Sequence, residues 1–354
     1  MKRNYVIPFF ISHQGCPYQC IFCDQRKISG HQGTLPDDVA QTIEEYLSTI
    51  PVSHSNIEIG FFGGTFTGLS LKRQEEFLRG VYPFVEKGLI DGIRLSTRPD
   101  FIDKKKLDHL KKFGVTCVEL GVQSMSDDVL TAAKRGYVAQ DVEDASAEIL
   151  KEGFLLGHQI MVGLPFSRPE DEYYTAMRVY ELGASQVRIY PVLVIEGTEL
   201  ASWWKAKKYV PLLEDEAVRR CVNLIIYFEM KGIKVIRCGL HPSEELLGGA
   251  CLAGPFHPAF RQKVESRIFG LMLKILSSFE NIQEIAFNPE DEAVFFGFKK
   301  ENSPFLGDIS CSWKELVKKD SSVSRGSIKV RTQERCFSVD KSSLAKDVLP
   351  DILL

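Results

Sequence analysis

No run of about 18 apolar residues occurs in this 354-residue chain, so no membrane-spanning helix is expected. An excess of charge of one sign is also lacking. The 44 Lys and Arg against 47 Asp and Glu leave a formal net charge of −3. No global basic field therefore draws the chain onto nucleic acid, and any RNA contact must come from local patches. A secretory signal is missing too: Met1-Lys2-Arg3 runs straight into a strand pattern, without an apolar h-region or cleavage site. The expected location is the cytoplasm. Nine cysteines, an odd number without such a signal, argue against a disulfide framework. Low-complexity tracts are absent, as are internal repeats beyond an alternation of strands and helices.

The most informative lack is of a fourth cysteine. Cys16-Pro17-Tyr18-Gln19-Cys20-Ile21-Phe22-Cys23 holds three thiols at spacing C-x3-C-x2-C, and the next is Cys117. The apolar run 6–11 ahead of them reads as a buried strand, so the cysteines fall on the loop that leaves it. A structural zinc site wants four protein ligands. A 4Fe-4S cluster with three cysteine ligands keeps one iron open for a substrate or cofactor. The shortage thus points to catalysis; zinc completed by His13 or His31 is the alternative. The other six cysteines, Cys117, Cys221, Cys238, Cys251, Cys311 and Cys336, read as small buried hydrophobes. Cys251, after Gly248-Gly249-Ala250, is alternatively a reactive thiol.

Strand patterns follow at 56–62, 93–98, 115–122, 159–163 and 186–191. Helices are expected at 35–50, from about 71, at 103–112, 126–134, 140–152 and 169–182. Pro83 is expected to end or kink the second helix. Six strands alternating with helices imply a parallel α/β sheet. A closed eight-unit barrel needs about 250 residues, so six units in roughly 190 imply a partial (βα)6 barrel. Three segments are expected: a core over 1–200, a connector, helix and active-site loop over 201–260, and a small C-terminal α/β extension over 261–354. In the second, 203–211 reads as an aromatic and basic connector, 213–231 as a helix, 233–237 as a strand and 239–260 as a long loop. Helix 262–279 opens the third.

Gly63-Gly64-Thr65 ends the second strand, where two glycines let backbone approach the ammonium and carboxylate of an amino acid. Gln123 follows the fourth strand, Arg135 lies just beyond it, and Gln159 begins the fifth. Such polar groups near the barrel top suit a ribose and a carboxylate. Arg188 and Tyr190 alternate on one face of the sixth strand, facing the barrel and a substrate. The alternative is a core Tyr190 and an Arg188 paired to a carboxylate. His257 joins them as a candidate, or is a plain loop residue.

The cysteine spacing, with Phe22 before the last cysteine, resembles the radical S-adenosylmethionine (SAM) superfamily. Phe62-Gly63-Gly64-Thr65-Phe66, Thr97-Arg98-Pro99-Asp100, residues 118–124 and residues 188–200 resemble, more narrowly, the Elongator-type catalytic subunit. Gly254-Pro255-Phe256-His257-Pro258 is similar to its short bacterial members. The resemblance covers residues 5–260. It implies a (βα)6 fold, a 4Fe-4S cluster on Cys16, Cys20 and Cys23, and SAM as cofactor. Phe22, Gly63, Gly64 and Thr65 then border SAM, with Gln123 and Arg135 in contact. Gln159 falls where relatives often place an acidic ribose ligand, and Ser96 where many carry glutamate. Long relatives append an acetyltransferase domain, for which the roughly 95 residues after position 260 are few. The long eukaryotic members also separate their first two cluster cysteines more widely.

Such chemistry needs a low-potential electron donor of ferredoxin or flavodoxin type. By family resemblance tRNA is the expected substrate. Local groups such as Lys104-Lys105-Lys106, and Lys205 with Lys207-Lys208 beside Trp203, Trp204 and Tyr209, suit RNA. The enzymatic alternative is radical chemistry on a small molecule, as in oxygen-independent coproporphyrinogen oxidase. The non-enzymatic one is a metal-stabilised RNA-binding protein.

Overall fold

The computed structural model describes residues 3–310 and 312–349, which form two compact units. The first holds the residues up to Pro211 together with Leu240–Gly254. Its strands are β1 (Arg3–Phe10), β2 (Ser55–Phe62), β3 (Gly92–Thr97), β4 (Val115–Gln123), β5 (Leu155–Val162) and β6 (Gln186–Pro191). They pair in chain order, every pair parallel. The connections carry α1 (Gln25–Ser29), α2 (Val39–Leu47), α3 (Leu71–Glu86), α4 (Lys104–Lys112), α5 (Asp127–Ala132), α6 (Ala139–Lys151) and α7 (Pro169–Glu181).

The sheet curls into a partial barrel, and side chains on its concave face record the curvature. Arg94 on β3 donates from Nη1 to Gln186 Oε1 on β6 at 3.2 Å, and Gln186 Nε2 reaches Cys117 Sγ on β4 at 2.7 Å. In a flat sheet β3 and β6 would lie about 14 Å apart, three times the spacing of roughly 4.8 Å. The fold is thus the α/β partial barrel with a C-terminal extension that the strand–helix rhythm implies.

Several local expectations are corrected. Pro83 does not end α3, which continues to Glu86. It sits at an exposed position, while Val81 and Phe84 are buried. The helix expected at 35–50 is a 3-10 turn, Pro36–Asp38, followed by a shorter α2. Ser48 and Thr49 end it by turning their hydroxyls onto the carbonyls of Glu45 and Tyr46.

Strand β5 starts at Leu155, so Gln159 lies mid-strand. Gly157 disguises the start; a Cβ there would stand tight, 3.0 Å from Glu119 Cγ. The aromatic connector is in part helix α8 (Glu199–Lys205), which follows the short strand β7 (Val194–Ile195). Thr198 Oγ1 caps it by accepting from Ala201 N. Trp203 and Trp204 pack on the cluster that buries Ile21 and Phe22, and buried Tyr209 donates to Gly163 O at 2.7 Å.

The second unit holds Leu212–Gly239 and the described residues from Pro255 onward. It contains α9 (Glu214–Met230) and β8 (Lys234–Cys238). The 239–260 stretch is not wholly loop. Within its first-unit part, Leu246–Ala250 turns helically and β9 (Cys251–Ala253) pairs antiparallel with β7. The second unit continues with α10 (Phe260–Leu276) and a four-stranded sheet. Its strands are β10 (Ile282–Phe287), β11 (Val317–Lys319), β12 (Ile328–Thr332) and β13 (Cys336–Val339), in the order β11-β10-β12-β13.

Of the scattered cysteines, Cys117, Cys221 and Cys238 are buried and Cys251 is half-buried. Cys336 is exposed, against expectation, because it lies on the solvent side of β13; Cys311 lies outside the described residues.

Candidate active site

The loops leaving β1 and β2 are zipped together by backbone. Ile11 N donates to Phe62 O, His13 N to Gly63 O and Thr65 N to Gln14 O, at 2.8–2.9 Å. This closeness explains the glycines. A Cβ on Gly64 would stand 2.5 Å from both Gln14 O and Ile11 O, and one on Gly15 only 2.1 Å from Thr65 O. Gly63 has φ 83°, the left-handed region that glycine enters freely.

Each thiol of the loop meets its own polar partner. Cys16 Sγ is 3.3 Å from Thr65 Oγ1. Cys20 Sγ accepts from Arg135 Nη1 at 2.9 Å, and Cys23 Sγ from Gln25 Nε2 at 3.3 Å. Ile21 and Phe22 anchor the loop in an apolar cluster with Val129, Leu164 and Leu200. Burial pushes the Cys16 thiol up, and Cys23 to about 12. A bound metal centre would oppose that shift, since it takes cysteine as thiolate.

Among the described residues no three His, Cys, Asp or Glu side chains form a group able to hold a single metal ion. The two histidines considered for zinc complete no such group with the thiols. His13 Nε2 accepts from Gln25 N at 2.8 Å, and His31 stacks on Phe10 with ring centroids 4.8 Å apart. Three soft thiols, each beside a hydrogen-bond donor, fit an iron–sulfur cluster: its sulfurs carry negative charge and its iron prefers thiolate.

Arg135 is buried. Beyond Cys20 it donates from Nη2 to Gly121 O and from Nε to Tyr137 Oη, both at 2.9 Å. Burial works against its charge, but Tyr137 and Cys20 outweigh burial and raise its pKa. Arg98 stands behind it, its guanidinium 5.0 Å from the ring centres of both Tyr18 and Tyr137. Gln123, with φ 64° at the end of β4, folds over Gly121, where a Cβ would stand 3.0 Å from its Nε2.

A second polar group lines the concave face. Glu119 on β4 receives Arg188 Nε at 2.5 Å and Nη2 at 3.0 Å, and Arg94 Nη1 at 2.9 Å. Arg94 also holds Glu58 at 2.6 Å. Burial would raise the Glu119 pKa, but Arg188 and Arg94 hold it below the ordinary carboxylate range. Gln159 Nε2 donates to Ser96 Oγ at 2.6 Å and to Glu119 Oε2 at 3.3 Å. Arg188 lies 4.8 Å from the Phe62 ring centre, and half-buried Tyr190, beside it, helps hold its charge.

The three cysteines, Thr65, Gln123 and Arg135 therefore come together. Gln159, Arg188 and Tyr190 form a neighbouring group, joined to the first where Gly121 pairs with Gln159. Phe22 is packed in the apolar cluster. His257 belongs to the second unit, where its Nδ1 accepts from Ala259 N at 3.0 Å and its ring meets Phe298 edge-on. Burial lowers the His257 pKa. Sequence reasoning passed over Gln25 and Glu119 as site residues. A carboxylate inside the apolar strand 115–122 was the available signal for Glu119; Gln25 gave none.

Residues 10–175 match the Radical SAM superfamily, and residues 184–269 match the Radical_SAM C-terminal domain. The tRNA uridine(34) acetyltransferase of Methanocaldococcus jannaschii is 28% identical over 258 residues, covering 60% of this chain and 47% of that protein. That of Dehalococcoides mccartyi is 31% identical over 175 residues, covering 44% and 38%. Elongator complex protein 3 of Saccharomyces cerevisiae is 27% identical over 194 residues, covering 49% and 35%. The chain thus spans less than half the length of these relatives. In fold it resembles the archaeal Methanocaldococcus infernus Elp3 with an N-terminal deletion, with TM-score 0.60 at 21% identity over 76% of this chain and 63% of that one. With its cysteine loop, glycine turn and partial barrel in place, the chain belongs to the radical SAM superfamily and is an enzyme of that superfamily, similar in its radical SAM region to the Elongator-type proteins.

Proposed function

We propose that the chain holds a 4Fe-4S cluster on Cys16, Cys20 and Cys23, binds SAM against Gly63-Gly64-Thr65, and modifies tRNA. The single observation behind this reading is the polar partner at each of the three thiols, on a loop zipped to the glycine turn. When bound, the cluster and SAM would supply the hard chemistry, a one-electron reductive cleavage of SAM that initiates hydrogen-atom abstraction.

The chain's own residues bind and orient. Arg135 sets a buried positive charge beside Cys20, compensating the anionic centre that the thiolates would hold. Gln123 and Gln159 offer hydrogen bonds to the SAM ribose and carboxylate. Glu119 fixes Arg188 so that its planar fork, with Tyr190, forms a rigid wall toward the substrate. Thr65 and Gly63 leave backbone for the methionine end of SAM. No step is assigned to His257.

The tRNA assignment is supported by relatives named as a tRNA uridine(34) acetyltransferase. The electron comes from a donor of ferredoxin or flavodoxin type. The cytoplasm is where tRNA and such donors meet; among the described residues no helix is long and apolar enough to cross a membrane.

The test uses the full chain, reconstituted without oxygen with iron and sulfide, then given SAM, a strong reductant and deuterium-labelled tRNA. The expected result is 5′-deoxyadenosine carrying deuterium, abolished in Cys20→Ala. Loaded protein that never cleaves SAM would overturn the enzymatic half. SAM cleavage without deuterium transfer would overturn the tRNA half.

A further inference from the structure

The third cysteine has a partner outside the cysteine motif. Gln25, two residues after Cys23, donates from Nε2 to Cys23 Sγ at 3.3 Å. Its backbone is tied at two points. Gln25 N donates to His13 Nε2 at 2.8 Å, and Gln25 O accepts from Ser29 Oγ at 2.6 Å. The other end of the amide rests on the glycine turn: a Cβ on Gly63 would stand 3.4 Å from Gln25 Oε1. His13 has φ 58°, a left-handed backbone that non-glycine residues rarely adopt, and its N–H is held by Gly63 O at 2.9 Å. One side chain thus spans the third thiol and the turn, and one imidazole fixes its backbone.

We propose that Gln25, held by His13, is a positioning residue that directs a hydrogen-bond donor at the third cluster thiolate and so raises the reduction potential of the cluster. The inference rests on the reading that Cys16, Cys20 and Cys23 hold that cluster. An N–H aimed at a ligand sulfur strengthens as the sulfur gains negative charge. It therefore favours the reduced form, and hydrogen bonds to sulfur are one of the protein's levers on cluster potential. A packing role alone would need neither an amide aimed at sulfur nor a strained histidine backbone holding its start.

Three full-length variants test it: Gln25→Leu removes the donor, Gln25→Glu replaces it with a carboxylate, and His13→Phe removes the acceptor for Gln25 N–H. Iron and sulfide content and the reduction potential, followed by electron paramagnetic resonance, are read on the loaded proteins. Hydrogen exchange at the Gln25 amide is read on the cluster-free chain. Gln25→Leu and Gln25→Glu are expected to shift the potential downward, Gln25→Glu further. His13→Phe is expected to speed Gln25 exchange and shift the potential in the same direction by less. A fully loaded Gln25→Leu protein with the wild-type potential would overturn the proposal. If neither Gln25 variant takes up iron, His13→Phe decides, and wild-type exchange protection in it would overturn the proposal. Wild-type protein that takes up no iron and sulfide would instead overturn the reading on which the proposal stands.

Discussion

Arg135 Nη1 and Cys20 Sγ stand 2.9 Å apart across 115 residues of chain. The same guanidinium holds Gly121 O and Tyr137 Oη, three acceptors in three directions. A lysine ammonium cannot reproduce that fork. Arg135→Met is expected to cost about 3 kcal/mol in the cluster-free chain, because it leaves buried acceptors unpaired. Arg135→Lys should recover less than half of that loss. Urea denaturation of both variants checks this, with iron content after reconstitution falling in the same order.

Glu119 answers two buried cations, Arg94 and Arg188, with its own side chain 1% exposed. Glu119→Ala leaves both guanidiniums partly uncompensated and is expected to destabilise the chain by about 3–5 kcal/mol. Adding Arg188→Met should restore part of that loss by removing one stranded charge. A double-mutant cycle read by denaturation midpoint measures the coupling, and additive losses would show that Arg188 does not depend on Glu119.

His158 on β5 is fully buried. Its Nε2 lies 3.0 Å from Ser146 Oγ, and its Nδ1 has no hydrogen-bond partner. Burial lowers its pKa from 6.5 to about 3. Between those values the unfolded chain binds the proton and the folded chain does not, so stability falls as pH falls. The slope approaches about 1.4 kcal/mol per pH unit. Stability measured from pH 7 to pH 4 should fall more steeply in the wild type than in His158→Leu, where this titration is gone.

Gly64→Ala drives a Cβ to 2.5 Å from two backbone oxygens, which cannot move aside as a side-chain tip can. The zip between the first two loops should open, with loss of iron uptake and of SAM binding together. Gly248→Ala is the control, since a Cβ there meets nothing within 4 Å. It should change stability by less than about 0.5 kcal/mol. Equilibrium dialysis with labelled SAM separates the two.

Much of the chemistry was written in local sequence. The C-x3-C-x2-C spacing, the strand before it and the glycine pair one strand later are short-range patterns, and short-range patterns follow from backbone geometry and apolar periodicity. The alternation of six strands with helices decided a parallel sheet, because parallel neighbours need a crossover between them. Where local rules failed, packing had overruled them. Pro83 stays within α3 at an exposed position, and Trp203 and Trp204 join a helix because Leu200 and Ala201 bury beneath the cysteine loop.

The partners of the site were not legible in this way. Whether Arg188 lies bare or paired was open in the sequence, since β6 shows only that Arg188 and Tyr190 share a face. Tertiary structure pairs Arg188 with Glu119, 69 residues earlier, because the sheet curls and brings β4 and β6 across the concave face. Likewise the cysteine spacing names the thiols, but only the fold decides that Thr65, Arg135 and Gln25 each meet one of them. The sequence by itself determined the three-thiol loop, the order of the strands and the glycine turn. The environment of each thiol was decided only by tertiary structure, because hydrogen bonds and buried charges depend on distances in space that sequence separation does not encode.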